Sequence, residues 1–289
     1  MTTAVLEPRA GRRCHNALNS LHSAHYFAPE LGKELGAIGI TDPRAVNFAV
    51  RSAALGPVGA GAVAATFYNY KYELVARHMP AVWETAAPAD VLAARTRAVD
   101  TSLRRLLGAE LLTSAEMAEA ARLALRATET CSRAGRPLYA GHADLPVPEE
   151  PHLAYWHAAT LLREHRGDGH IAVLVSAGLD GLEALVTHTA TGKGMTPKWV
   201  FTTRGWTREE WDTAVARLRE RGLLDADGEL TERGAALRRE IEADTDRLDR
   251  APYEHLGAQD VARLTELAGG FARAALTAGA FPADLLGKR

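Results

Sequence analysis

Apolar residues recur three and four positions apart through nearly the whole 289-residue chain, in segments dominated by alanine, leucine, arginine and glutamate. That spacing places them on one face of an α-helix, so the chain is predicted to be mainly α with few strands. At 47% apolar and 24% charged it can bury a substantial core. Thirty-four basic against 36 acidic side chains leave a formal charge of −2, so no bulk attraction draws it to nucleic acid or an anionic membrane, and such binding requires a local patch. Cys14 and Cys131 stand far apart with no CxxC pair, which predicts two free thiols. Met1 to Arg12 carries no apolar leader and no later run is apolar enough to span a bilayer, so the expectation is a cytoplasmic protein with no membrane partner.

Helices are predicted over about His15–Tyr26, from Pro43 towards Leu55, over Asp90–Leu107, and over Thr113–Cys131 with Thr113 and Glu116 in capping-box spacing. Four prolines between Gly135 and Pro151 mark the best linker. Beyond it, a helix over Pro151–His165 is expected to break at Gly167 and Gly169, with Asp168 capping a second piece that starts at His170. Trp199-Val200-Phe201-Thr202 reads as a short strand. Thr207 then caps a helix over Arg208–Arg221, and Leu223-Leu224 and Glu229-Leu230-Thr231 flank an Asp-Gly turn as a hairpin. Glu232–Arg250 forms one long helix.

Arg217-Leu218-Arg219-Glu220-Arg221-Gly222-Leu223-Leu224, Leu230-Thr231-Glu232-Arg233-Gly234 and Ile241 to Leu248 resemble the helix, wing and following helix of the MarR-like winged-helix family. Over most of its length the chain also resembles an actinobacterial helix-turn-helix family. That likeness is carried by Tyr26-Phe27-Ala28-Pro29-Glu30, Thr66-Phe67-Tyr68-Asn69-Tyr70, His165 to His170 and Arg204-Gly205-Trp206-Thr207. The resemblance implies a helical N-terminal domain over 1–140 and a MarR-like winged helix-turn-helix domain with a small β-hairpin wing over 141–255. A C-terminal helix over 256–289 would pack on the core. It further implies a ligand-responsive, DNA-binding transcriptional regulator acting as a homodimer, with Arg208–Arg221 in the major groove and Arg204, Thr207, Arg208 and Arg217 as contacts. The charges oppose an easy fit: from Arg204 to Arg250 there are ten arginines against thirteen carboxylates, and the turn tip reads Asp225-Ala226-Asp227-Gly228.

Histidines offer a second chemistry. Six of the eleven lie between His142 and His188, and Trp156 to His170 is dense in groups that bind anions, ligate metals or move protons. His22, Glu30, His165, Arg166, Asp168 and His170 are the candidate catalytic set. His22, Tyr26, Tyr68, Trp156, Arg166 and His170 are the candidate lining of a small-molecule pocket. In the first helix His15, His22 and His25 share a face and, with His170, are the candidate ligands of a transition metal or haem iron. The alternative to a regulator is therefore a small-molecule enzyme, or a haem- or metal-binding protein, that keeps the winged helix as scaffold.

Overall fold

The computed structural model describes residues 6–282. The N-terminal half is helical throughout: α1 (Ala10–Ser23), a 3-10 turn (Ala24–Phe27), α2 (Pro29–Ala37), α3 (Pro43–Ser52), α4 (Ala60–Phe67), α5 (Tyr72–Ala76), α6 (Val82–Thr85), α7 (Pro88–Leu112), α8 (Ala115–Thr128) and α9 (Pro137–Ala143). The C-terminal half contributes α10 (Pro151–Ser176), α11 (Gly181–Thr189), α12 (Pro197–Arg204), α13 (Arg208–Glu220), α14 (Glu232–Leu248), α15 (Ala251–Leu256) and α16 (Ala258–Thr277). No single described helix is long and apolar enough to cross a membrane.

Three apolar clusters hold these helices. One gathers α1, α7, α8, α15, α16 and the first half of α10 around Leu18, Leu123, Tyr155 and Phe271. A second gathers α2 to α7 around Phe48, Val63, Val75 and Val91. The third joins the last turns of α10 to α11–α14 through Leu174, Leu185, Val200, Trp211 and Leu218. α10 enters the first cluster and leaves through the third, so one continuous rod ties the two halves together.

The continuity of α10 corrects the expected break at Gly167 and Gly169. A Cβ on Gly169 would come within 2.5 Å of the Arg136 guanidinium, so this glycine admits a neighbour rather than ending a helix. Asp168 consequently caps nothing in its own helix. Its Oδ2 accepts from the backbone N–H of Tyr139 at 2.9 Å, in the first turn of α9. The stretch read as a linker thus carries a docked helix, and Gly141 of α9 packs so closely that a Cβ there would sit 2.6 Å from the Ala54 carbonyl.

Two further expectations are overturned. Trp199–Thr202 is helical, because Pro197 occupies the first turn of α12 and Thr196 Oγ1 accepts from the Trp199 N–H. The hairpin wing is absent: among the described residues there is no β-strand, and Leu224 and Leu230 form a single isolated antiparallel bridge. The competing hydrogen bonds explain why. Asp225 Oδ1 accepts from the N–H groups of Asp227 and Glu229, the Arg219 guanidinium donates to the carbonyls of Asp225 and Ala226, and Thr231 already caps α14. Too few residues remain for a ladder. The mainly α class stands, without a winged helix. α8 is capped by Ser114, accepting from Met117 N–H at 3.1 Å, rather than by Thr113.

Candidate functional site

A cleft of about 1050 Å³ opens between α1, α10 and α14, its inner end reaching α3 and α4. Its outer wall is ionic. Arg12 bonds Asp246, Arg166 bonds Asp246 and Asp249, and Arg238 reaches Glu242. His165 Nδ1 lies 2.9 Å from Asp249 Oδ1, and His170 Nδ1 lies 2.8 Å from Thr245 Oγ1. Burial is the main cause that pushes His170 down to about 4 and His15 to about 3. It raises Asp168 to about 6.

The inner end is different. Arg51 and Arg163 line the cleft beside Phe67, Leu138 and Glu164, and Arg51 stacks at 4.0 Å over the Phe67 ring. Arg163 pairs with Glu164 and lies 5.7 Å over Tyr26. Behind them stands a buried aromatic group. Trp156 stacks at 5.0 Å on His22, and Arg95 lies 5.3 Å over the same indole. Thr160 Oγ1 donates to the Trp156 carbonyl and accepts from His22 Nε2, which fixes the His22 proton on Nε2 and leaves its buried Nδ1 an acceptor without a partner. His25 donates from Nδ1 to the His22 carbonyl at 2.6 Å. Burial is the main cause that lowers both imidazoles and His142, the last to about 4, with His25 and the arginines adding to it at His22 and Arg95 at the other two, so all three are neutral at neutral pH.

The expected site residues therefore divide. His22 and Trp156 meet in the buried group beside the inner end, with Tyr26 over Arg163 at its edge. Arg166, Asp168 and His170 line the cleft itself, and His165 braces Asp249 behind the outer wall. Glu30 is elsewhere, held by Arg105 of α7 at 2.5 and 3.0 Å. That ion pair is the first cause of its lowered pKa. Tyr68 reaches the opposite way, donating its hydroxyl to the Leu179 carbonyl at the start of the C-terminal unit. The metal candidates His15, His22, His25 and His170 do not converge: among the described residues no three His, Cys, Asp or Glu side chains are placed to hold a metal ion. Arg51 and Arg95 were not singled out by the sequence. Arg95 had a usable signal, since it falls in register with the buried face Val91, Ala94, Ala98 and Val99 of α7.

The C-terminal unit contains two helices joined by a short turn. α12 ends at Arg204, the three-residue turn Gly205-Trp206-Thr207 follows, and α13 begins with a complete capping box between Thr207 and Glu210. Gly205 has φ +81, and a Cβ there would meet Leu74 at 2.8 Å, so both backbone and packing require glycine. Trp211, Ala214 and Leu218 face inward, while Arg208, Asp212, Thr213, Ala216, Arg217 and Arg219 face solvent. Arg217 is bound to Asp180 and Glu183. Arg204 is turned away from solvent, its guanidinium 4.3 Å over the Tyr70 ring. The segment after α4 docks on this unit: Lys71 N–H donates to the Arg204 carbonyl, Lys71 Nζ pairs with Glu210, and Trp206 Nε1 donates to Asn69.

Comparison with known proteins adds one finding. Neither the curated proteins nor the solved structures contain a match to this chain. A helix-turn-helix family matches residues 11–282, spanning the cleft, the buried group and the α12–α13 turn together; the chain belongs to this helix-turn-helix family.

Proposed function

We propose that the protein is a DNA-binding regulator in which α13 enters the major groove and a small molecule in the cleft controls that contact. The observation that carries the reading is the outward stance of α13: it follows a three-residue turn, is anchored by Trp211, Ala214 and Leu218, and leaves its opposite face to solvent. Arg208 at its first turn supplies phosphate or base contacts, Arg219 at its last adds positive charge while its guanidinium holds the carbonyls of Asp225 and Ala226, and Thr207 and Thr213 add hydroxyls. In the homodimer this reading requires, two copies of α13 address half-sites about 34 Å apart.

Acidic neighbours make the electrostatic part small. Glu209, Asp212 and Glu220 alternate with the arginines on the same face, so affinity depends on a few fitted contacts rather than on a basic field. With two or three phosphates neutralised per protomer, the logarithm of affinity should fall with the logarithm of salt at a slope of about −2 to −3 per protomer. Selection of duplexes from a random pool, followed by a salt titration of the winner, tests the proposal. Enrichment of one sequence with that shallow slope is expected; a pool that stays random overturns it.

Control by the cleft is supported by the segment from Tyr68 to Lys71. It leaves α4 beside the inner end of the cleft and lies against the start of α11, the end of α12 and the start of α13. A Cβ on Gly181 would come within 2.1 Å of the Tyr68 carbonyl, so the contact is backbone to backbone. Tyr68 itself holds φ +60, a conformation non-glycine residues seldom keep without external restraint.

A further inference from the structure

We propose that the arginine-walled inner end of the cleft binds a doubly charged oxyanion group, the phosphate monoester or paired carboxylates of a small organic ligand. This rests on the reading of the cleft as a ligand pocket and names what the pocket takes. Arg51 of α3 and Arg163 of α10 line this end, and two more guanidiniums stand behind it, Arg95 of α7 over Trp156 and Arg204 of α12 over Tyr70. Arg163 is matched by Glu164. Among the described residues Arg51, Arg95 and Arg204 form no salt bridge, and the Nε of each is buried with no hydrogen-bond partner.

Unmatched buried cations are costly, and proteins ordinarily pair them. The outer wall of the same cleft does so, where Arg12, Arg166 and Arg238 meet Glu242, Asp246 and Asp249. The less exposed cations of the outer wall are therefore paired, whereas about three positive charges in and behind the inner end have no carboxylate partner. A monoanion would leave two of these; a dianion leaves one. The surrounding histidines, neutral by burial, add no further positive charge. Tyr70 lies in the same field: burial pushes its hydroxyl up, yet Arg204 and Arg51, with the hydrogen bond donated by Asn47, hold it below its ordinary value. Phe67 and Leu138 give the ligand's carbon frame an apolar wall beside these donors. Arg204 is also the last residue of α12, so an anion held in its field acts on the start of the turn into α13.

Isothermal titration of the intact chain with phenyl phosphate, phthalate, benzoate and benzamide separates the outcomes. Phenyl phosphate and phthalate should bind at least about tenfold more tightly than benzoate, with no measurable benzamide binding. Arg51→Gln and Arg204→Gln should each weaken phenyl phosphate at least about tenfold, with the circular dichroism spectrum and unfolding midpoint of the empty protein undiminished. Arg239→Gln, at the exposed mouth, should change nothing. Benzamide binding as tightly as phenyl phosphate overturns the oxyanion assignment and leaves the cleft a ligand pocket. Equal binding by wild type and Arg51→Gln does the same. Failure of all four probes overturns both the assignment and the pocket.

Discussion

Arg95→Met tests whether the buried guanidiniums are uncompensated in the empty protein. Arg95 is 5% exposed and donates Nη1 to the Val50 carbonyl at 2.8 Å and to His142 Nε2 at 3.1 Å, while its Nε has no acceptor. Burial holds its pKa down at about 10 against an ordinary 12.5, so keeping it charged at neutral pH destabilises the fold by on the order of 3 kcal/mol. The sign follows from a base whose folded value is lowered. The penalty is full below about 10 and fades as pH rises towards 12.5. Methionine removes the charge, keeps most of the stem's packing against Trp156, and forfeits two hydrogen bonds worth together on the order of 2 to 3 kcal/mol. The terms nearly cancel, and urea unfolding at neutral pH should place Arg95→Met within about 1 kcal/mol of wild type. Arg163→Met should lose about 3 to 5 kcal/mol, since it strands Glu164 at 5% exposure. An Arg95→Met loss as large as that of Arg163→Met would refute the reasoning, because it would mean the Arg95 charge is already paid for by the empty fold.

Acid should unfold the protein abruptly. His15 and His25 are held near 3 and His142, His157 and His170 near 4 against 6.5, so the unfolded chain takes up protons first and stability present above 6.5 is lost as pH falls towards those values. Near pH 5 the slope is on the order of 6 kcal/mol per pH unit, opposed only in part by Asp168 and Asp249, and calorimetry should find several protons bound on unfolding. Gly181→Ala drives a Cβ against the Tyr68 carbonyl at 2.1 Å and should lower stability by about 1 to 3 kcal/mol, measured by urea unfolding; an unchanged midpoint would show that the Tyr68–Lys71 contact is loose. Arg208→Ala should weaken duplex binding in a gel-shift assay, whereas Arg204→Ala should leave the unliganded affinity within about twofold and alter only its response to ligand. Equal losses in both would place Arg204 on the duplex after all.

Local chemistry was legible where it acts locally. Asp42 before Pro43 starts α3, Thr207 starts α13, and Thr231 starts α14, because a cap is decided by residues within one turn. Gly167 and Gly169 misled for the complementary reason. Position 169 is glycine because Arg136, about thirty positions away, takes the space a side chain would fill, and spacing along α10 carries no trace of that. The wing failed through competition: Asp225 and Arg219 take backbone groups a ladder would need. His22, Trp156 and Arg166 could be nominated from their density in sequence. The arginines that give them meaning come from four separate helices, two lining the cleft and two behind it, and only folding brings them together.

The outward face of α13 is the claim most open to a direct check. Fluorescence anisotropy of a labelled duplex, taken from the selected sequence, should saturate with wild-type protein. Thr213→Glu and Ala216→Glu, which add charge to that face without touching Trp211, Ala214 or Leu218, should weaken binding at least about tenfold with folding unaltered. Undiminished binding by both variants would mean that the duplex, if held at all, is held elsewhere, and would contradict the account.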